Sequence, residues 1–216
     1  MSHITLIRHG QANTGARDET SYDHLSELGF QQATWLGDHL RASASHHSRV
    51  YCGTLTRHVQ TAQGMAVDDP VRDERLNELE YFTLAKLLEE QHGVALPSER
   101  EGFIAHLPRI FTAWQNGELE GAPETFADFE NRVTDALHDI SAGRGPALVV
   151  TSGGLIAISL RQVMELNMAA TARVALAIMN TSMHRLFPIG DQLSPVLFNA
   201  VPHLETPDRH FAQTHF

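Results

Sequence analysis

Two short apolar runs constrain this chain most. Ile4-Thr5-Leu6-Ile7 passes directly into Arg8-His9-Gly10, and Ala147 to Val150 passes into Thr151-Ser152-Gly153-Gly154. Each reads as a strand feeding a glycine turn. Open α/β sheets present side chains and backbone N–H groups to ligands in this way, at the carboxyl ends of their strands.

The rest of the chain alternates between the two regular periods, which favours mixed α/β layers over segregated helices and strands. Ile4 to Arg8 reads as the first strand. Ser26 is placed to cap a helix carrying Leu28, Ala33, Leu36 and Leu40 on one face. Arg49 to Cys52 reads as a second strand, and Leu55, Val59, Ala62 and Ala66 follow at helical spacing. Leu84 to His92 reads as a helix closed by Gly93. Ser98 with Glu101 forms a capping box ahead of Phe103, Leu107, Phe111 and Trp114, with Pro108 expected to kink that helix.

Gly117 to Pro123 reads as loop, and Phe126, Phe129, Val133, Leu137 and Ile140 form a helical stripe. The turn Gly143-Arg144-Gly145-Pro146 leads to the strand Ala147 to Thr151, and a helix runs from Leu155 to Leu166. Val174 to Asn180, Met183 to Pro188 and Pro195 to Ala200 read as closing strands, close enough together to pair antiparallel, so the sheet is expected to be mixed. No repeat or linker interrupts the 216 residues, which suits one domain.

Net charge of -10 argues against broad contact with a nucleic acid backbone or an anionic membrane, because both need basic surface. The basic residues are arginines apart from Lys86; a guanidinium suits bidentate grips on phosphate or carboxylate, and a GC-rich genome gives the same bias. A single cysteine, Cys52, leaves no internal disulfide and no thiolate zinc site. The polar Ser2-His3 opening is not a secretory signal, and no stretch reaches membrane-spanning length, so a cytoplasmic protein is expected.

The chemistry-bearing residues gather at the proposed strand ends. Arg8 offers a planar fork of donors to phosphate oxygens, and His9 has an ordinary pKa near 6.5, so its neutral form is a nucleophile at neutral pH. Gly10 is read as clearing space for a ligand against the backbone. On these residues alone, a histidine after a strand more often serves structure than chemistry. A serine nucleophile at Ser152 fails the Gly-x-Ser-x-Gly elbow, since Val150 stands where glycine is required. The 14 histidines are scattered and contain no His-Glu-x-x-His pattern, so no metal is expected. Asn180-Thr181-Ser182 matches a glycosylation sequon but reads better as a strand or turn motif.

Leu6-Ile7-Arg8-His9-Gly10-Gln11 resembles the opening signature of the histidine phosphatase superfamily, the phosphoglycerate mutase-like proteins. Tyr22 to Gly29 with Gln32-Ala33, Thr54-Leu55-Thr56-Arg57 with Gln60-Thr61-Ala62, Leu76-Asn77-Glu78-Leu79, Asn180-Thr181-Ser182 and Asn199 to Leu204 resemble its later blocks in the same order. The likeness is weakest between about Phe82 and Ala122, the region expected to form a helical lid. What the resemblance implies is a three-layer α/β/α fold with a mixed, mostly parallel central sheet and a catalytic set of His9, Arg8, Arg57 and Glu78. His9 would attack phosphorus, Arg8 and Arg57 would clamp the phosphoryl oxygens, and Glu78 would protonate the leaving oxygen. On residue type alone, Arg57 and Glu78 also fit a surface ion pair and a solvated carboxylate. Gln11 and Asn13 would bind substrate from the first loop, and no cofactor is implied.

The resemblance departs at Ser152-Gly153-Gly154, where the family pattern has histidine followed by glycine. Ser152 keeps a neutral hydroxyl and loses a cation, which by analogy with oxyanion donors costs on the order of 3 kcal/mol, roughly a hundredfold in rate. The N–H groups of Gly153 and Gly154 at a helix start are expected to face the phosphate, and Ser152 also reads as a simple N-cap. The leading expectation is a phosphatase of the histidine acid phosphatase type, acting on a phosphorylated small molecule or a protein phosphohistidine. The runner-up is a phosphate-binding pseudoenzyme, and a phosphoglycerate mutase comes third.

Overall fold

The first strand, β1 (Ile4–Arg8), is buried along its whole length, and its alternation divides the core in two. Ile4 and Leu6 join one apolar cluster, whereas Ile7 points into another with Ala33, Leu36, Ala62 and Met65. Helices must therefore cover both faces, giving the α/β/α layering. The computed structural model describes residues 2–43, 45–97 and 99–215.

In chain order β1 is followed by α1 (Glu19–Tyr22), α2 (Glu27–Ala42), β2 (Arg49–Cys52), α3 (Thr56–Gly64) and β3 (Val71–Arg72). Next come α4 (Tyr81–His92), α5 (Arg100–Gln115), α6 (Phe126–Ala142), β4 (Ala147–Thr151), α7 (Gly153–Met164) and α8 (Met168–Ala177). The chain closes with the hairpin β5 (Met183–Ile189) and β6 (Gln192–Ala200), followed by short 3-10 turns. Among the described residues the sheet has six strands in the order β3-β2-β4-β1-β5-β6. The first three pairings are parallel and the last two antiparallel, so the sheet is mixed as expected.

Helices α2 and α3 cover one face through the cluster that holds Ile7, Leu148 and Val150. Residues from α4 to α8 pack on the other face against Ile4, Leu6, Ala147 and Val149. The expected lid, residues 82 to 122, thus shares a core with the sheet through Leu84, Leu107, Ile110 and Phe111. Local signals were good at several ends. The Ser26 hydroxyl accepts from the Gly29 N–H at 3.0 Å, a cap worth about 1 kcal/mol, and Gly93 closes α4 with φ 69.

Three local readings change. Val174 to Asn180 is not a strand: the alternation of Val174, Leu176 and Ile178 lies at the end of α8, a helix started by Asn167, whose side chain accepts from the Ala170 N–H at 2.9 Å. The two-residue strand β3 is too short to show a period. Leu28 packs with Val201 and Leu204 rather than with the Ala33 and Leu36 face. Ser98, expected to cap α5, lies outside the described residues; Glu99 is the N-cap, and α5 runs through Pro108.

Between α8 and β5, the turn Asn180-Thr181-Ser182 is buried, which settles the sequon as a structural motif. Thr181 adopts φ 57, its N–H donates to the Arg8 carbonyl at 3.0 Å, and the Arg8 N–H donates to the Ser182 carbonyl at 3.2 Å. Two buried imidazoles hold this turn, His203 on the Thr181 hydroxyl and His184 on the Ser182 hydroxyl, each at 2.9 Å. Burial lowers both to a pKa of about 3, with the Arg8 charge helping at His184, and His39 then Arg209 at His203. The unfolded chain binds protons at these positions below about pH 6.5 while the fold refuses them, so stability falls on acidification by about 1.4 kcal/mol per pH unit for each histidine. Urea midpoints taken between about pH 7 and pH 5 should fall accordingly; a midpoint that holds constant contradicts this account.

Candidate active site

The parallel register Arg8↔Thr151 and Cys52↔Val150 brings the carboxyl ends of β1, β4 and β2 to one edge of the sheet. There a cavity of about 770 Å³ opens, lined at its base by Arg8, His9, Arg57, Glu78, Gly153 and Asn180. Arg8 and His9 reach it as the last strand residue and its successor. Arg57 comes from the first turn of α3, and Glu78 from the connection between β3 and α4.

His9 is 2 % exposed, and its backbone N–H donates to the Thr151 carbonyl at 2.8 Å. Its Nδ1 lies 2.7 Å from the Gly10 carbonyl, an acceptor only, so Nδ1 carries the proton and Nε2 keeps its lone pair. Burial, then the guanidinium charges of Arg57 and Arg8, push its pKa well below 6.5. The ring is neutral and nucleophilic across the neutral range. Tyr22 packs edge-on at 6.2 Å and the His58 ring at 5.8 Å.

The two arginines are held from behind. The Arg8 Nη1 donates to the Ile178 carbonyl at the end of α8. The Arg57 Nη1 donates to the Asp23 carboxylate at 3.0 Å, and its guanidinium sits 5.1 Å above the Tyr22 ring. Asp23 also accepts the backbone N–H groups of Thr56 and Arg57, at 2.8 and 3.2 Å, which caps α3 from a distance. The Nε of each arginine is buried without a partner among the described residues.

Glu78 accepts the Leu79 N–H at 3.0 Å and the Gly154 N–H at 2.9 Å. A Cβ on Gly154 would stand 2.4 Å from the Glu78 carboxylate, so glycine there makes room for it. The Gly154 N–H, expected to face a phosphate, is thus spent on Glu78, although Gly153 and Gly154 both line the cavity.

Two expected ligand contacts are otherwise occupied. Gly10 does not line the cavity; a Cβ there would lie 2.4 Å from the Gly29 carbonyl oxygen, and its N–H donates to the Thr61 hydroxyl at 3.0 Å. Its lack of a side chain serves the contact between the first loop and α2. Ser152 is fully buried, does not line the cavity, and makes no side-chain cap on α7; its hydroxyl bonds the His58 Nε2 at 2.6 Å.

Gln11 and Asn13 line the cavity, yet both amides work inside the loop. The Gln11 Oε1 accepts from the Ser26 hydroxyl, and the Asn13 side chain donates to the Ser21 carbonyl and accepts from the Gly15 N–H. Asp23, His58 and Asn180, whose amide donates to the His9 carbonyl at 3.2 Å, were given no role by sequence reasoning. Asp23 and His58 carry no local signal, because their partners lie 33 and 94 residues away. One stretch of the wall is apolar, built from Leu79, Phe82, Leu96, Phe103, Leu107 and Phe111, while Asn13, Thr14, Arg17 and Glu19 also line the cavity. Among the described residues no group of three His, Cys, Asp or Glu is arranged to hold a metal ion, and no helix is long and apolar enough to cross a membrane.

The family model of the histidine phosphatase superfamily (branch 1) matches residues 4–201, and the chain belongs to that superfamily. It is 30% identical over 152 residues to the 2,3-bisphosphoglycerate-dependent phosphoglycerate mutase of Tropheryma whipplei, covering 62% of this chain and 68% of that protein. Solved structures share the fold. A mutant phosphoserine phosphatase from Entamoeba histolytica in complex with phosphoserine superposes with a TM-score of 0.70 at 18% identity, covering 94% of this chain and 100% of the other. For the phosphoglycerate mutase of Bacillus anthracis the TM-score is 0.67 at 20% identity, with 94% of each chain covered. A mycobacterial glucosyl-3-phosphoglycerate phosphatase gives 0.64 at 23% identity, covering 92% of this chain and 98% of the other.

The Gly10 contact separates a structural from a ligand role. Gly10→Ala should destabilise the ligand-free protein by about 1–3 kcal/mol, the cost of overpacking against rigid backbone, measured by urea denaturation. Unchanged stability with weakened phosphate binding would return Gly10 to the ligand.

Proposed function

We propose that this chain is a phosphatase that hydrolyses a phosphomonoester through a phosphohistidine on His9. One observation carries the reading: a neutral imidazole with its Nε2 lone pair unprotonated lines a cavity into which separate stretches of chain bring Arg8, Arg57 and Glu78. In the first step Nε2 bonds to phosphorus as the bond to the alcohol oxygen breaks, and that oxygen takes a proton from Glu78. In the second, water attacks phosphorus, Glu78 takes its proton, and the P–N electrons return to Nε2. Arg8 and Arg57 hold the equatorial oxygens, where the transition state spreads its charge.

Membership of a superfamily with relatives named as phosphatases and mutases supports phosphoryl transfer. The wall opposite the arginines favours hydrolysis of a small ester with a largely apolar alcohol. Among the described residues, Arg17 is the only Lys or Arg lining the cavity beyond Arg8 and Arg57, which is poor provision for the carboxylate of a phosphoglycerate. A protein phosphohistidine fits this apolar wall less well. The pseudoenzyme reading rests on Ser152, which lacks the charge of a histidine; against it, His9 keeps its Nε2 lone pair and lines the cavity with Arg8, Arg57 and Glu78.

His9→Ala should abolish both the acid-labile phosphoenzyme and turnover of aryl phosphates; equal rates from the two proteins would remove the phosphatase reading. Glu78→Gln should slow alkyl phosphates by about 10²–10⁴ and p-nitrophenyl phosphate far less, because only the poor leaving group needs a proton. Because burial and the two arginines lower the His9 pKa, the acid limb of kcat/KM should lie well below pH 6.5. A limb at the ordinary histidine value would contradict the buried, neutral nucleophile.

A further inference from the structure

His58 is a fully buried imidazole one residue beyond Arg57. Its Nε2 bonds the Ser152 hydroxyl at 2.6 Å, and its ring centroid lies 5.8 Å from that of His9, with the planes tilted by 35°. Its Nδ1 faces Gly53, where a Cβ would come within 2.2 Å, and has no hydrogen-bond partner among the described residues. Burial, then the Arg57 charge, holds the ring neutral. An orphaned buried N–H is rarer than an under-satisfied acceptor, so the proton belongs on Nε2, donated to the Ser152 oxygen.

This arrangement is expensive for mere packing. A buried polar atom without a partner is destabilising, a loss that an apolar side chain of similar size would avoid. Three positions accommodate it together: Gly53 by lacking a side chain, Ser152 by withdrawing from the cap of α7, and His58 itself. We propose that His58, entering from α3 rather than from the β4 turn and fixed by Ser152, packs against the His9 ring from outside the cavity lining and positions that ring for transfer. The Gly10 carbonyl fixes rotation of the His9 ring through Nδ1, and Tyr22 and His58 flank the ring. Ser152 therefore acts as the anchor of the neighbouring ring. The family resemblance implies an imidazole at position 152; here an imidazole from position 58 bonds the side chain at that position.

The kinetic part of this proposal rests on the phosphatase reading, and the tests separate the two. With an aryl phosphate, His58→Ala should lower kcat by roughly 10- to 100-fold, the scale for a misplaced reacting group, with KM changed by less than about threefold. Ser152→Ala should give a smaller fall of the same kind. The double variant His58→Ala with Ser152→His returns an imidazole to the volume from the other strand and should recover most of kcat, whereas Ser152→His alone crowds two rings together and should not gain. Side-chain ¹⁵N NMR of His9 needs no turnover: the wild type should show one fixed Nδ1–H tautomer, and folded His58→Ala an averaged one. Unchanged kcat and an unchanged His9 spectrum in folded His58→Ala would overturn the proposal, as would a double variant no faster than His58→Ala. A wild type no more active than His9→Ala, but with the His9 tautomer dependent on His58, would remove the phosphatase reading and leave the positioning role standing.

Discussion

The pairing of β1 with β4 is the constraint on which the site depends. Parallel register from Ile4↔Ala147 to Arg8↔Thr151 brings together segments from opposite ends of the chain, and the bond from the His9 N–H to the Thr151 carbonyl extends that ladder one residue past the strand. Because β1 is also paired antiparallel with β5, His9 directly follows a strand bonded on both sides. A strand slipped by one residue would turn Ile7 and Leu6 to the wrong faces, and the two apolar clusters forbid it. The core thereby sets the position of His9 before any ligand arrives.

A second tier of contacts converts that placement into chemistry. Asp23 joins the start of α3 to Arg57, and Gly154 gives its N–H to Glu78, so two helix N-termini are committed to holding catalytic candidates rather than to binding anions. The turn after α8 locks Arg8 by backbone bonds on both sides. Preorganisation of this kind matters because phosphoryl transfer asks for positioned charge more than for covalent invention.

Legibility in the sequence followed the range of the interaction. Arg8 and His9 stand next to their strand, and the local pattern was enough to point to them. Arg57 and Glu78 have ordinary surface readings by residue type, and only the order of blocks across the chain lifted them out. Asp23 and His58 were invisible because their meaning lies in partners 33 and 94 residues away. At Gly10 a sequence shows the missing side chain but not the Gly29 carbonyl that forbids one, so this packing reason for glycine is legible only in the fold. The helix α8 was misread because Val174, Leu176 and Ile178 alternate, and a period of two over so few residues cannot outweigh a well-capped helix start at Asn167.

A chain of net charge -10 nonetheless lines one cavity with two buried guanidinium groups. Arg8 and Arg57 are 7 % and 2 % exposed, and the one carboxylate bonded to them, Asp23, meets a single guanidinium nitrogen. Each arginine leaves its Nε unpartnered among the described residues. Taking guanidinium ions out of water is costly, and the fold has already incurred that cost through the packing of β1 and α3. An oxyanion entering the cavity recovers it, because charge-assisted bonds in a desolvated, largely apolar cavity are stronger than the same bonds in water. On the proposed reading, the apolar residues of the wall lower the local dielectric and so sharpen the field of the two arginines.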